Sequence, residues 1–281
     1  MKVLVTGGGG ALGLAICRIL KARGHAVRSV SRGVHPALDA LGVEAQRGDL
    51  SQRSAADAAV ADCEAVMHVA GRTGSFGPDH LYRPANLDST LHLLDACADA
   101  GISRFVYTST PSVVHGGGDV AGADETVPYP DHYETAYQRT KAAAERAVLA
   151  RNGQGIATVA LRPHLVWGAG DTNLTQRVVA RARAGRLRFV GDGTNKVDGC
   201  YLDNAAEAHV LAVEAIQAGA ACAGRAYFLT NDEPMATRDL VNGIVTAAGL
   251  PPVTRMVSPG LARFLGGALE LGWTVLGRTD E

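Results

Sequence analysis

Residues 3–13 read Val-Leu-Val-Thr-Gly-Gly-Gly-Gly-Ala-Leu-Gly, an apolar run that enters a cluster of glycines. The chain that follows, Ala11–Arg23, carries Leu12, Ala15, Ile16, Ile19 and Leu20 at helical spacing on one face, and Gly24 stops it. Two glycine registers are open: G-x-G-x-x-G through Gly8, Gly10 and Gly13, or G-x-x-G-x-x-G through Gly7, Gly10 and Gly13. The physics is shared. Glycines allow a tight turn, a close approach of backbone to a pyrophosphate and close packing of helix on strand. The helix start at Gly10, Ala11, Leu12 and Gly13 offers unpaired N–H groups to an anion. A strand, a glycine turn and an amphipathic helix in this order predict a dinucleotide-binding unit.

Strand and helix patterns keep alternating outward from this unit. Ala26–Ser31, Val43–Gln46, Ala65–Ala70, Arg104–Ser109 and Ala157–Arg162 read as further strands. Helices are expected over Arg53–Ala61, with Ser51 placed to cap it, over Pro84–Ala100 and over Tyr133–Arg151. The strands are nearly continuous apolar runs, as helices on both faces of a sheet require. The fold class is therefore α/β: a doubly wound parallel sheet (Rossmann) with right-handed crossovers. After Pro163 the rhythm loosens. Helices over Leu174–Ala184, Asn204–Ala218 and Arg238–Ala248 and strands over Leu187–Val190 and Ala226–Leu229 suggest a smaller C-terminal substrate lobe. The expected division is a nucleotide-binding domain over 1–165 and a lobe over 166–281, interleaved with the sheet.

The nucleotide can be read further. An NAD site usually ends its second strand with a carboxylate for the ribose hydroxyls. No acidic residue lies between Leu14 and Leu38, and the strand ends Ser31-Arg32 instead. A guanidinium suits a 2′-phosphate that a carboxylate would repel, so the expected cofactor is NADP(H). Asp49, followed by Leu50, is placed to accept from the adenine amino group, and Ala70-Gly71 to let the ribose lie on the backbone.

Tyr137-Gln138-Arg139-Thr140-Lys141 puts a phenol and an amine one helical turn apart on one face. The strand before that helix ends in hydroxyls, Thr108-Ser109-Thr110-Pro111-Ser112. Hydride reduction of a ketone needs a proton donor at the developing alkoxide. Tyrosine can donate, and a nearby ammonium is expected to lower its pKa and to bind the nicotinamide ribose. A hydroxyl, Thr110 with Ser109 and Ser112 as alternatives, would orient the carbonyl. His68, in an apolar strand, reads as a satisfied core histidine.

Composition limits the alternatives. The chain has 281 residues, 47% hydrophobic and 20% charged, with a net charge of −1 and no long charged run, so nothing points to nucleic acid. The five cysteines, Cys17, Cys63, Cys97, Cys200 and Cys222, form no C-x-x-C pair, which argues against a zinc site or a disulfide framework. With no signal sequence and no apolar run long enough to span a bilayer, a cytoplasmic protein is expected.

The segments TGGGGALG, YTSTPSV, YQRTK, LRPHLVWGAGD and VDGCYLDNAAEAH together resemble the extended short-chain dehydrogenases/reductases, and specifically their 3β-hydroxysteroid dehydrogenase/isomerase branch. Within it, YTSTPSV, ATVALRP, GRLRFVGDGTNKVD and ACAGRAYF are similar to the bacterial 2-alkyl-3-oxoalkanoate reductases of long-chain olefin biosynthesis. The resemblance covers nearly the whole chain to about residue 260. It implies Tyr137 as acid/base, Lys141 as its partner, Thr110 as the hydroxyl that fixes the carbonyl and Pro163 as a neighbour of the nicotinamide. It implies a lipid-like β-keto acid as substrate, reduced to the hydroxy acid. A hydroxysteroid, a nucleotide-sugar, or cofactor binding without turnover remain the alternatives. It also implies a homodimer through the Pro84–Ala100 and Tyr133–Arg151 helices, a structural role for Asn86, and a pocket lined by Thr73–Arg83, Gly116–His132 and Trp167–Tyr201. Members of the family run further than this chain, so the lobe is expected to be shortened at its C-terminus.

Overall fold

The computed structural model describes residues 1–74 and 76–275, with 268–275 by backbone alone. Seven strands form one parallel sheet: β1 (Lys2–Thr6), β2 (Ala26–Ser31), β3 (Glu44–Arg47), β4 (Ala65–His68), β5 (Arg104–Thr108), β6 (Ala157–Pro163) and a late strand, Arg225–Leu229. Their spatial order is late strand-β6-β5-β4-β1-β2-β3. The order reverses between β1 and β4, and a doubly wound sheet binds its ligands in the crevice at such a switch point. Helices α1 (Ala11–Ala22), α2 (Pro36–Ala40), α3 (Arg53–Val60), α4 (Asp79–Arg83), α5 (Ser89–Ala100) and α6 (Ala136–Ala150) belong to the same part of the chain. The core is built from fully buried strand residues such as Leu4, Val66, Phe105 and Tyr107, packed against Leu93, Leu94 and Cys97 of α5 and Val148 of α6.

The chain divides into two compact units. The first holds Met1–His164 and Leu202–Leu229; the second holds Leu165–Tyr201 and the chain from Thr230 onward. The return segment supplies helix Leu202–Ala215 and the edge strand Arg225–Leu229, which pairs with β6 from Arg225↔Val159 to Leu229↔Pro163. The second unit has its own cluster of Val178, Leu240, Ile244 and Val245. It also contains three pairs of two-residue strands, Val166–Trp167 with Cys200–Tyr201, Lys196–Val197 with Met235–Ala236, and Phe189–Val190 with Met256–Val257. Strands this short show no alternation, which is why sequence patterning passed over most of them. Helix Pro259–Val275 is the last described element. Among the described residues no helix is long and apolar enough to cross a membrane.

Three expectations are corrected. The helix expected over Pro84–Ala100 starts earlier, at Asp79, and passes through a π-helical turn at Pro84–Asp88, where Ser89 N–H donates to the Pro84 carbonyl. Proline has no N–H for the regular ladder, and the widened turn turns Asn86 inward. Ser51 does not cap α3: the cap position is Gln52, with no side-chain bond, and the Ser51 N–H donates to Asp49 Oδ1 at 3.0 Å. Helix α6 begins at Ala136 rather than Tyr133, because Thr135 and Gln138 form a capping box.

Candidate active site

The glycine loop resolves the register. Gly7 has φ of +69° and donates its N–H to the Val30 carbonyl at 3.0 Å, so Gly7 makes the turn. Gly8 N–H is committed to Ser29 Oγ at 3.1 Å. Gly10 caps α1 in extended conformation with no side-chain hydrogen bond, leaving the first-turn amides of Ala11 to Gly13 open to an anion. A Cβ on Gly13 would overlap the Gly7 carbonyl oxygen and come within 2.8 Å of Gly8 Cα, whereas one on Gly10 would meet only that oxygen, at 3.4 Å. The cradle therefore fits a dinucleotide pyrophosphate. Gly13→Ala is expected to lower stability by about 1–3 kcal/mol and to abolish dinucleotide binding, read by thermal melting and calorimetric titration.

The turn after β4 lies beside this loop. A Cβ on Gly7 would sit 3.0 Å from Ala70 Cα, and one on Gly71 would sit 3.9 Å from the Lys141 ammonium. A buried polar chain holds the turn. Thr6 Oγ1 accepts from the N–H groups of Val69 (3.0 Å) and Ala70 (2.9 Å), so its own proton goes to His68 Nδ1 at 2.8 Å. His68 Nε2–H then donates to Thr90 Oγ1 at 3.0 Å, and Thr90 donates to the Asn86 carbonyl at 2.8 Å. This assignment requires a neutral imidazole. Burial, helped by the Lys141 charge, pushes the His68 pKa down to about 3. His68 is thus the satisfied core histidine expected of it. Asn86 clamps the next residue, accepting from Arg72 N–H at 2.7 Å and donating to the Arg72 carbonyl at 3.1 Å.

Thr110 Oγ1 hydrogen-bonds Ser112 Oγ at 3.2 Å and accepts from the Ser112 N–H at 3.3 Å, and it adjoins Tyr137 closely enough to pull the phenol pKa down. Ser109 Oγ is buried with no hydrogen-bond partner among the described residues, and of the three candidate hydroxyls Thr110 is the one that bears on the phenol pKa. Lys141 is buried, donates to the Thr108 carbonyl at 2.6 Å and lies 4.1 Å over the Tyr107 ring. Burial lowers its pKa to about 7, opposed by the Glu145 carboxylate. One expectation fails here. The Tyr137 pKa is raised by burial, with the Thr110 bond pulling the other way, and is not lowered by Lys141. The ammonium is committed to a carbonyl and a ring face, so the phenol keeps its proton at neutral pH.

The remaining predicted residues stand where the strands end. Arg32 is exposed just past β2, and Ser31 Oγ donates to the Gly33 carbonyl at 3.0 Å. The Asp49 carboxyl is held below its usual range by hydrogen bonds from Ser51 and by the charge of Arg32. Leu50 is buried. Pro163 closes β6 opposite Leu229. Sequence reasoning missed three groups. Glu145, one turn beyond Lys141, is fully buried and accepts from Arg162 Nη2 (2.6 Å), Arg162 Nε (3.0 Å) and the Tyr129 hydroxyl (2.6 Å). His209 lies behind β5. The i, i+4, i+8 spacing of Tyr137, Lys141 and Glu145 was the available signal for the first; nothing local marks Arg162 or His209.

Fold and site together define an oxidoreductase of the extended short-chain type. The family profile described as 3-beta hydroxysteroid dehydrogenase/isomerase matches residues 4–259, and the chain belongs to that family. It is 50% identical to a 2-alkyl-3-oxoalkanoate reductase of Stenotrophomonas maltophilia (strain K279a) over 279 residues, 98% of this chain and 84% of that protein. It is 42% identical to the protein of the same name from Shewanella oneidensis, over 99% of this chain and 74% of that one. Among solved structures, a Thermus thermophilus UDP-glucose 4-epimerase complexed with NAD is similar at a TM-score of 0.76 and 27% identity, over 92% of this chain and 87% of that chain. The resemblance read from the sequence is borne out.

Proposed function

We propose that this protein is an NADP(H)-dependent reductase that converts the 3-keto group of a 2-alkyl-3-oxoalkanoate to the hydroxy acid. The observation that carries the reading is the placing of Tyr137 and Lys141 one turn apart on α6, with Thr110 just past the end of β5 and Lys141 beside the Gly71 turn. The identity to two reductases of that name over nearly the whole chain supports the substrate class. When bound, the nicotinamide supplies a hydride to the keto carbon. Thr110 and Tyr137 hold the carbonyl oxygen, and Tyr137 delivers its phenolic proton to that oxygen as negative charge develops there. Lys141 would hold the nicotinamide ribose hydroxyls. The amides of residues 11–13 would hold the pyrophosphate, Ala70 and Gly71 would let the ribose lie on the backbone, and Pro163 would border the nicotinamide. Turnover of NADPH with a 2-alkyl-3-oxoalkanoate tests the reading; tight binding of UDP with no turnover of the keto acid would instead favour a nucleotide-sugar substrate.

The preference for NADP(H) rests on Arg32 and on the absence of a carboxylate at the end of β2. Arg32→Ala is expected to raise the NADPH Kd by roughly 10–100-fold, the loss of a charge-assisted bidentate bond, and to leave NADH nearly unchanged. Equal effects on both nucleotides in parallel titrations would overturn the preference. The reading carries with it a cytoplasmic enzyme and a homodimer through α5 and α6, which sedimentation equilibrium tests directly.

A further inference from the structure

Lys141 is held by the carbonyl of Thr108, and the strand geometry explains why that carbonyl is available. The β4–β5 ladder ends at His68↔Tyr107, whereas β5–β6 runs one pair further, to Thr108↔Leu161. Ser109 N–H donates to the Leu161 carbonyl at 2.6 Å. In a trans peptide the carbonyl points opposite to the N–H. The Thr108 carbonyl therefore turns away from β6 toward the side where β4 has stopped, and Lys141 takes it at 2.6 Å.

What fixes this last peptide lies in the segment that returns to the first unit. His209, in helix Leu202–Ala215, is fully buried. Its Nδ1–H donates to the Ala205 carbonyl at 2.7 Å, so Nε2 is an acceptor and the Thr108 hydroxyl donates to it at 2.8 Å. Burial holds the His209 pKa down at about 4, which keeps the ring neutral. Arg23, the residue that caps the C-terminal end of α1, forms ion pairs with Glu207 and Glu214 of this helix. Thr108 is thus held by its side chain through His209, by its strand partner Leu161, and by its carbonyl through Lys141.

We propose that His209 is a positioning residue of the active site: through the Thr108 hydroxyl it orients the peptide whose carbonyl sets the Lys141 ammonium. This rests on the reading of Lys141 as the group that binds the cofactor ribose beside Tyr137. It also explains why the chain re-enters the first unit after its excursion: the return helix braces the catalytic strand from behind.

The test compares His209→Leu, His209→Gln and Thr108→Val with Lys141→Met, using NADPH and a 2-alkyl-3-oxoalkanoate. The amide oxygen of glutamine reaches the position of Nε2; leucine and the Thr108→Val change each remove the bond. His209→Leu and Thr108→Val are expected to lower kcat/KM by about 10²-fold, the scale of a misplaced catalytic group, to raise the NADPH Kd and to leave the KM for the keto acid nearly unchanged. His209→Gln is expected to recover most of the loss. Should His209→Leu not fold, Thr108→Val, which keeps the histidine, carries the test. Kinetics close to the unmodified enzyme in His209→Leu or Thr108→Val, beside a disabled Lys141→Met, overturn the role of His209 alone. An active Lys141→Met overturns the reading of the site and this inference with it.

Discussion

Tyr137→Phe is expected to lower kcat by about 10²–10⁴-fold, the usual contribution of a positioned general acid, with the NADPH Kd almost unchanged. Phenylalanine keeps the ring and its packing and removes only the phenolic hydroxyl beside Thr110. Burial raises the Tyr137 pKa and the Lys141 ammonium is engaged by the Thr108 carbonyl and the Tyr107 ring, so in the ligand-free site the proton is present across the neutral range. That protonation state suits reduction, where the proton is given away. With both nucleotide and substrate saturating, the reverse reaction needs the phenolate and is expected to gain speed as pH rises, while reduction holds steady around neutrality. Initial rates in both directions across pH check this, with NADPH consumption or formation as the signal. A variant within ten-fold of the unmodified enzyme in the reductive direction would remove Tyr137 from the role of acid.

The fold was legible because its signals are local and periodic. The apolar run into Gly7–Gly13 and the face of α1 identify a strand, turn and helix without any long-range information. The spacing of Tyr137 and Lys141 is equally local, since i and i+4 share a helix face. What escaped depends on partners far apart in sequence. His209 finds Thr108 across 101 positions, and Arg162 finds Glu145 from a different element. The π-helical turn at Pro84–Asp88 was hidden because Pro84 reads equally well as the first residue of a new helix. The electrostatics of Tyr137 were misjudged for a related reason. Spacing brings two side chains to one face and says nothing of the carbonyl and ring that capture the ammonium first.

The largest stability effect is expected at Glu145. Its carboxylate sits with 0% of the side chain exposed and Arg162 with 3%, and Arg162 Nη1 has no hydrogen-bond partner among the described residues. Removing one member leaves a buried charge uncompensated, so Glu145→Ala is expected to cost about 3–5 kcal/mol and to lower Tm by roughly 10 °C. The double variant Glu145→Leu with Arg162→Met removes both charges and is expected to recover most of the loss; failure to recover would mean that the pair contributes through more than charge balance. Glu145 also supports the Lys141 ammonium against burial, which alone would take the pKa further down than about 7. Without the carboxylate that pKa drops, and a lysine is cationic only below its pKa. NADPH affinity is therefore expected to fade at lower pH in Glu145→Gln than in the unmodified enzyme. The same depression has a stability sign. The native state binds fewer protons than the unfolded chain between about 7 and the ordinary value of 10.5, so this group makes stability rise with pH through that window. In Lys141→Met that contribution is expected to vanish, which denaturant melts across pH would read as a loss of slope.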